Sequence, residues 1–178
     1  MSAWLLLAAA VLLSLERLCY IWISRAPAAF RAWCARPLIA RIGEPVDVVH
    51  TLFLTFKAIQ GVVFVGWWYW QSGGELFPLP GPPFAIGLGC VLISSGQFLS
   101  TSVFRQLGKV GVFYGSRLGH DVPWRTGFPF THLAHPQYVG TVMSIWGFFL
   151  IARFPNPDWI VLPLLETIYY WIGAHYES

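Results

Sequence analysis

The feature that most constrains the fold of this chain is an apolar segment from Phe84 to Phe104. Its twenty-one residues include no charged side chain. An α-helix of about 20 such residues crosses the roughly 30 Å of hydrocarbon in a bilayer. The segment therefore predicts a transmembrane helix.

Composition supports a membrane setting for the whole chain. Of its 178 residues, 56% are hydrophobic and 11% are charged, whereas a soluble domain carries about 25% charged residues. The eleven Lys and Arg residues are spread along loops, with a net charge of +3, which argues against nucleic-acid binding. Cys19, Cys34 and Cys90 are too widely spaced to indicate a disulfide framework or a metal site.

Two further segments before Phe84 have membrane character. Val46 to Trp70 is apolar and ends in the aromatic run Trp67–Trp70, which is typical of the membrane interface. The opening run Ala3–Leu15 is short, and Glu16 and Arg17 follow it. This segment either spans the membrane or lies partly immersed; a cleaved signal peptide is disfavoured because a basic n-region is missing.

The C-terminal part contains two shorter apolar stretches, Tyr138–Ile151 and Trp159–Ala174. Between them lies a turn segment, 153–158, with Pro155 and Pro157. The pair predicts a helical hairpin, or one short and one complete span. The sequence thus predicts one all-α domain over residues 1–178: a polytopic transmembrane bundle of about four membrane-embedded helices and a partly immersed N-terminal helix.

Loop charges predict the orientation. The loop between residues 71 and 83 has no Lys or Arg, whereas the loops on either side of it are basic. By the positive-inside rule the basic loops are cytosolic. A returning hairpin then places His175, Tyr176 and Glu177 on the cytosolic side. The basic residues are Arg25, Arg31, Arg36, Arg41, Arg105, Lys109, Arg117 and Arg125.

Glycines mark the end of the third span and the loop after it. Small residues there allow either close approach of a cofactor to the main chain or tight helix packing; for Gly87-Leu88-Gly89 packing is the interpretation. The glycines are Gly96, Gly108, Gly111, Gly115 and Gly119.

The densest polar group follows in the loop 125–141. Arg125 either grips a phosphate or carboxylate or anchors at the interface. His135 precedes Pro136, which favours an extended backbone just before a helix, and its ring either binds a cofactor or relays a proton, or bonds to a loop carbonyl. His132 and Tyr138 complete the group.

Three ionisable residues lie within or at the end of apolar segments. Glu166 is a functional candidate because a charge inside a membrane is costly, or else it is a paired or protonated carboxyl. Lys57 raises the same question in the second span. Glu177 ends the last helix as either a functional carboxylate or a solvated terminus.

Three motifs in the last half of the chain resemble the phosphatidylethanolamine N-methyltransferase, or phospholipid methyltransferase, family. They are LGKVGVFYG, RTGFPFTHLAHPQYVG and the final HYES. They are similar to the family's glycine segment, its R-V-T-x-F-P-F loop with N-P-M-Y-x-G, and its terminal Y-E-E. The HPQYVG motif also resembles the wider group that includes isoprenylcysteine carboxyl methyltransferases.

The resemblance implies a site for S-adenosylmethionine within about 94–178. Ser94, Ser95 and Gly96 fall where the family has a cofactor-contacting G-x-G, and Glu177 and Ser178 fall on its terminal Glu pair, so that Ser replaces the first Gly and the second Glu. Further cofactor-binding residues expected are Gly108, Gly111, Gly115, His135 and Tyr138.

The implied reaction is methyl transfer to the amine of phosphatidylethanolamine or its mono- and dimethyl derivatives. An amine like that of Lys has a reference pKa of about 10.4, so the headgroup must lose a proton before it attacks. Glu177 or His135 is expected to receive this proton and Arg125 to grip the phosphate, with no metal required. Tyr138 and Tyr176 are expected to face the cationic groups.

Two alternatives stay open: a carboxyl methyltransferase acting on prenylated cysteine, and a non-catalytic membrane subunit whose glycines pack helices. The expected location is the endoplasmic reticulum membrane in a eukaryote or the inner membrane otherwise, with the active site facing the cytosol.

Overall fold

The computed structural model describes residues 3–74, 81–123, 125–154 and 156–177. Within these ranges the chain folds into helices joined by loops and turns. The helices are α1 (Ala3–Arg25), α2 (Pro27–Cys34), α3 (Pro45–Gln71), α4 (Pro83–Val112), α5 (Gly115–Leu118), α6 (Pro136–Ala152) and α7 (Val161–Glu177). The predicted all-α fold is confirmed.

Three of the helices are long and apolar enough to cross a membrane. They are α1, α3 and the segment Pro83–Leu118 that contains α4. Glu16 and Arg17 do not interrupt α1, which is one continuous helix of 23 residues, so it has the length of a span. The shorter α6 is also apolar, and the chain is a polytopic membrane protein.

Prolines set the starts of several helices. Pro45, Pro83 and Pro136 each occupy the first turn, where proline costs nothing because its missing N–H would have no intrahelical partner. At α3 the side chain of Asp47 also accepts a hydrogen bond from the backbone N–H of Glu44 at 3.0 Å. These local signals fix the residue at which α3 begins.

Glycines bring α4 and α6 into the most extensive helix contact of the fold. A Cβ on Gly140 would lie 2.6 Å from the carbonyl oxygen of Gly96, and one on Gly147 would lie 2.5 Å from that of Gly89. Real side chains do not fit at such distances, so the two backbones touch directly. Gly89 therefore packs helices, as predicted, whereas a Cβ on Gly87 would meet nothing within 4 Å, so the packing interpretation does not extend to Gly87.

The pair α6 and α7 enters and returns on the same side of the bundle, as the hairpin interpretation predicted. The end of α7 lies beside the start of α6, where Tyr138 donates a hydrogen bond to Glu177. At the opposite end, Gln71 of α3 donates to Asp158, in the turn before α7, at 2.7 Å. Residues 75–80 of the predicted loop, and Pro155 of the predicted turn, lie outside the described residues.

An apolar cluster packs the first helices of the bundle against the chain segment that follows α4. Tyr20 and Ile23 of α1 pack there with Phe30 of α2, Val49 of α3 and Phe113. The Tyr20 ring also lies 5.5 Å from that of Tyr114. This packing fixes the turn after α4 against the first three helices.

Candidate functional site

A kink near the end of α4 shapes the site. Gly108 has φ +63° inside the helix, a conformation that glycine adopts without the steric cost of a Cβ. The chain then turns through Tyr114, whose φ of 59° is left-handed, into α5. This path brings the Tyr114 side chain in towards α6 and α7.

Glu177 meets this turn from the other end of the sequence. Its Oε2 accepts hydrogen bonds from the hydroxyls of Tyr114, at 2.7 Å, and Tyr138. Arg117 donates to the Glu177 backbone carbonyl at 3.4 Å. The glycine segment, α6 and the last helix therefore converge on one carboxylate.

A cavity of about 250 Å³ lies beside this carboxylate. Its wall includes Gly111 and Phe113 from the glycine segment, and Gln137 from α6. His135 also lines it from the position just before α6, with its ring stacked 5.8 Å from that of Tyr138. We call this space the polar cavity.

A charged cluster from α1 and α3 forms another part of the wall of the polar cavity. Glu16 pairs with Arg17 at 2.8 Å and with Lys57 at 3.1 Å. Lys57 also donates to the hydroxyl of Tyr170 at 2.9 Å. Arg17 and Glu16 are almost fully buried, and charges in such a place are typical of functional sites in membrane proteins.

A second and larger cavity, of about 530 Å³, adjoins the first. Phe64, Phe104 and Phe148 contribute to its mostly apolar wall. The two cavities share four lining residues, Phe53, Lys57, Gln137 and Thr141. We call this space the apolar cavity.

Four of the residues predicted for the site line the polar cavity together. They are Gly111, His135, Tyr138 and Glu177. Their convergence brings together the glycine segment, the HPQY motif and the acidic end of the chain, which are far apart in sequence.

Other predicted residues lie elsewhere. Gly96 is buried in the α4–α6 contact. Ser94 and Ser95 precede it on α4 and line neither cavity. Gly108 forms the kink inside α4 and Gly115 begins α5. Neither residue lines either cavity, and a Cβ on Gly115 would overlap Val110.

Three loop and tail residues are exposed and line neither cavity: Arg125, His132 and Tyr176. His132 contacts the hydroxyl of Thr131 at 2.7 Å. Tyr176 covers Arg25, whose guanidinium carbon lies 5.3 Å from the centre of its ring. Ser178 lies outside the described residues.

The ionisable residues Glu166 and Lys57 both have hydrogen-bond partners in the structure. The Glu166 carboxylate accepts a 2.6 Å hydrogen bond from the Gln60 amide, is buried, and lines neither cavity. Lys57 lines both cavities.

The part of the chain that the structure describes contains no group of three metal-ligating side chains.

Sequence reasoning did not identify Tyr114, Arg17 or Tyr170 as parts of the site. A signal for Arg17 was present, since an ionisable pair inside an otherwise apolar helix indicates a function or a buried partner. Tyr114 carried no comparable signal. Its role depends on the turn at Gly108 and on the end of α7, which only the folded chain brings together.

Comparison with known proteins places these features in a family. The model of the phospholipid methyltransferase family matches residues 84–178, which hold Tyr114, His135, Tyr138 and Glu177. No solved structure matches the chain.

Two curated proteins are similar to parts of the chain. A phosphatidyl-N-methylethanolamine N-methyltransferase of Arabidopsis thaliana is 48% identical over 54 residues, 30% of this chain and 33% of that protein. A phosphatidylethanolamine N-methyltransferase of Homo sapiens is 32% identical over 97 residues, 54% of this chain and 48% of that protein. The matches thus span half or less of each relative's length. Because the family model covers more than half of the chain, including the turn at Tyr114 and the carboxylate of Glu177, this protein belongs to the phospholipid methyltransferase family.

Proposed function

We propose that this protein transfers methyl groups from S-adenosylmethionine to the amine of phosphatidylethanolamine or its mono- and dimethyl derivatives. The observation that carries the proposal is the Glu177 carboxylate, held by two tyrosine hydroxyls at the wall of a polar cavity in a membrane-embedded bundle. The names of the two similar curated proteins agree with this activity.

The polar cavity fits the proposed cofactor in its chemistry. When bound, S-adenosylmethionine supplies an electrophilic methyl group on a positively charged sulfur. Tyr114, Tyr138 and Phe113 offer aromatic rings in the cavity wall, and such faces attract a cation. Gly111 contributes to the same wall. These residues, with Glu177 and His135, would hold the cofactor.

Glu177 is the proposed proton acceptor for the lipid amine. Its Oε2 is occupied by two hydroxyls, whereas its Oε1 has no hydrogen-bond partner among the described residues. An ammonium beside Oε1 would give its proton to the carboxylate, directly or through water, which leaves the lipid nitrogen neutral and nucleophilic. His135 is the second candidate acceptor, because it lines the same cavity.

The apolar cavity offers the lipid a place beside the site. Its aromatic and aliphatic wall suits acyl chains, and it meets the polar cavity at Lys57 and Gln137. A lipid whose chains lie there reaches the polar cavity with its headgroup. Positioning of this kind supplies much of the rate enhancement in a displacement reaction.

The exposed position of Arg125 does not support its proposed contact with the phosphate. We instead assign it to the interface, where arginine side chains reach towards lipid headgroups.

The basic loops surround the end of the bundle that holds Glu177, so we propose that this end faces the cytosol. The membrane would be that of the endoplasmic reticulum in a eukaryote and the inner membrane otherwise.

The test is methyl transfer by the purified full chain in lipid nanodiscs. Radiolabelled S-adenosylmethionine is supplied with phosphatidylethanolamine, its mono- and dimethyl derivatives, or farnesylcysteine, each in a separate reaction. We expect label in at least one of the amine lipids and none in farnesylcysteine. Label in farnesylcysteine alone indicates the carboxyl methyltransferase activity, and label in no acceptor contradicts the proposal.

A further inference from the structure

Two buried polar atoms of opposite charge lie on either side of a narrow gap beside Gly173, and both belong to residues that line the polar cavity. Neither Nη1 of Arg17 nor Oε1 of Glu177 has a hydrogen-bond partner among the residues that the structure describes. A Cβ built on Gly173 would lie 3.4 Å from both atoms, so they are at most twice that distance apart. A buried polar group without a partner is costly, which indicates that a ligand completes this pair.

The guanidinium of Arg17 is held in place by its neighbours. Its Nη2 pairs with Glu16 at 2.8 Å. Its central carbon lies 4.1 Å from the centre of the Tyr170 ring and 5.1 Å from that of Tyr138. The group is therefore fixed with one edge paired and Nη1 directed to the gap, a geometry that suits an oxyanion.

The local charges also favour an anion on this side of the cavity. Arg17 and Lys57 carry two positive charges, and Glu16 balances one of them. Glu166 faces Gln60 and lines neither cavity. One positive charge is thus left near Arg17, and one negative charge lies across the gap at Glu177.

We propose that Arg17, oriented by Glu16 and assisted by Lys57, binds the phosphodiester of the lipid headgroup while Glu177 receives its ammonium. This inference rests on the proposed function. A phosphoethanolamine headgroup is a zwitterion whose two charges are separated by a short linker, which matches the order of charges across the gap. Arg17 and Lys57 both precede the family-matched residues 84–178, so the two N-terminal spans contribute this part of the site.

The amino-acid part of the methyl donor carries the same pair of charges, an ammonium and a carboxylate. The position of Lys57 favours the lipid. Lys57 contacts Glu16 at the point where the polar and apolar cavities meet, so the cationic wall is continuous with the space suited to acyl chains. A headgroup entering from that space passes Lys57, which lines both cavities.

The experiment compares Arg17→Gln with Arg105→Gln, an exposed arginine of α4 that lines neither cavity. The acceptors are phosphatidylethanolamine and an ether lipid, a diacylglycerol that carries an aminoethyl ether. The ether lipid has the same primary amine but lacks the phosphodiester. For Arg17→Gln we expect the KM for the phospholipid to rise about ten- to a hundred-fold, the effect of losing a charged hydrogen bond. The KM for the ether lipid and the Kd of S-adenosylhomocysteine stay within about two-fold of wild type by the same reasoning, and Arg105→Gln changes none of the three.

Three results overturn the proposal. Equal losses on both lipids indicate a structural role for Arg17. An unchanged KM for the phospholipid excludes the phosphodiester contact. A weaker Kd for S-adenosylhomocysteine with an unchanged phospholipid KM assigns Arg17 to the methyl donor. Absence of transfer by the wild-type protein to any amine lipid instead refutes the proposed function itself.

A second variant avoids removing the buried charge. Gly173→Ala places a methyl group between Arg17 and Glu177 while both ion pairs of Glu16 remain. Like Arg17→Gln, it is expected to reduce the preference for the phospholipid over the ether lipid. Its control is Gly87→Ala on α4, where an added Cβ meets nothing within 4 Å. An unchanged preference in Gly173→Ala, with normal turnover, contradicts the proposal even if Arg17→Gln does not fold.

Discussion

The hydroxyl of Tyr114 donates a 2.7 Å hydrogen bond to Oε2 of Glu177. The two residues are separated by 63 positions in the sequence, and their contact joins the turn after the kinked α4 to the last helix. The bond leaves Oε1 without a hydrogen-bond partner among the described residues, at a residue that lines the polar cavity. Tyr114 therefore positions the carboxylate that the proposed reaction requires.

Replacing Tyr114 with Phe tests this positioning role. The variant keeps the ring, and so the contact with Tyr20, but removes the hydrogen bond to Glu177. We expect methyl transfer to fall about ten-fold, because a bond to a charged group contributes about 1.5–3 kcal/mol. The measurement is the initial rate with labelled methyl donor, and the control is Tyr69→Phe at an exposed ring of α3. Equal rates for both variants would exclude the role.

Gly96→Ala tests whether this glycine packs helices. An added Cβ would overlap the carbonyl oxygen of Gly140 and lie 2.5 Å from the hydroxyl of Ser144. Overpacking of this kind costs about 1–3 kcal/mol, so we expect a lower Tm in detergent than for the matched Gly87→Ala. A normal Tm with selectively weakened S-adenosylhomocysteine binding would instead support the cofactor contact that the family resemblance implies for Gly96.

Glu166→Gln tests whether the buried carboxylate of α7 takes part in the reaction. The new amide oxygen still accepts the hydrogen bond from Gln60, and the side chain lines neither cavity. We expect the transfer rate per folded protein to stay within about two-fold of wild type, because the hydrogen bond is retained. A loss of a hundred-fold or more, with the folded fraction unchanged, would assign Glu166 a direct role that its position does not suggest.

The membrane-spanning helices could be predicted from the sequence because a long apolar run without charges can cross a bilayer only as a helix. Phe84–Phe104 falls inside α4, and Val46–Trp70 falls inside α3. The sequence also predicted that the loop after the third span and Glu177 lie on the same side, since a hairpin returns the chain end to the side from which it started; the structure shows that they are in contact.

The details of the site depend on contacts that no local pattern encodes. Arg17 was recognised as an interruption of the first span, but the partners that hold it come from α1, α6 and α7. Gly96 and Gly111 are both glycines near the end of a span, yet one packs against α6 and the other lines the cavity. The difference follows from the direction in which each faces, which is set by the packing of α4.

The most direct test of the account is the rate of methyl transfer by Glu177→Gln. The amide has nearly the same shape as the carboxylate, but it cannot accept the proton of the ammonium. The control, Asp121→Asn, removes a carboxylate from an exposed loop position. We predict that Glu177→Gln lowers the rate with phosphatidylethanolamine by about 10²- to 10⁴-fold while the protein stays folded, and that Asp121→Asn leaves it unchanged. Wild-type turnover by folded Glu177→Gln would contradict the account.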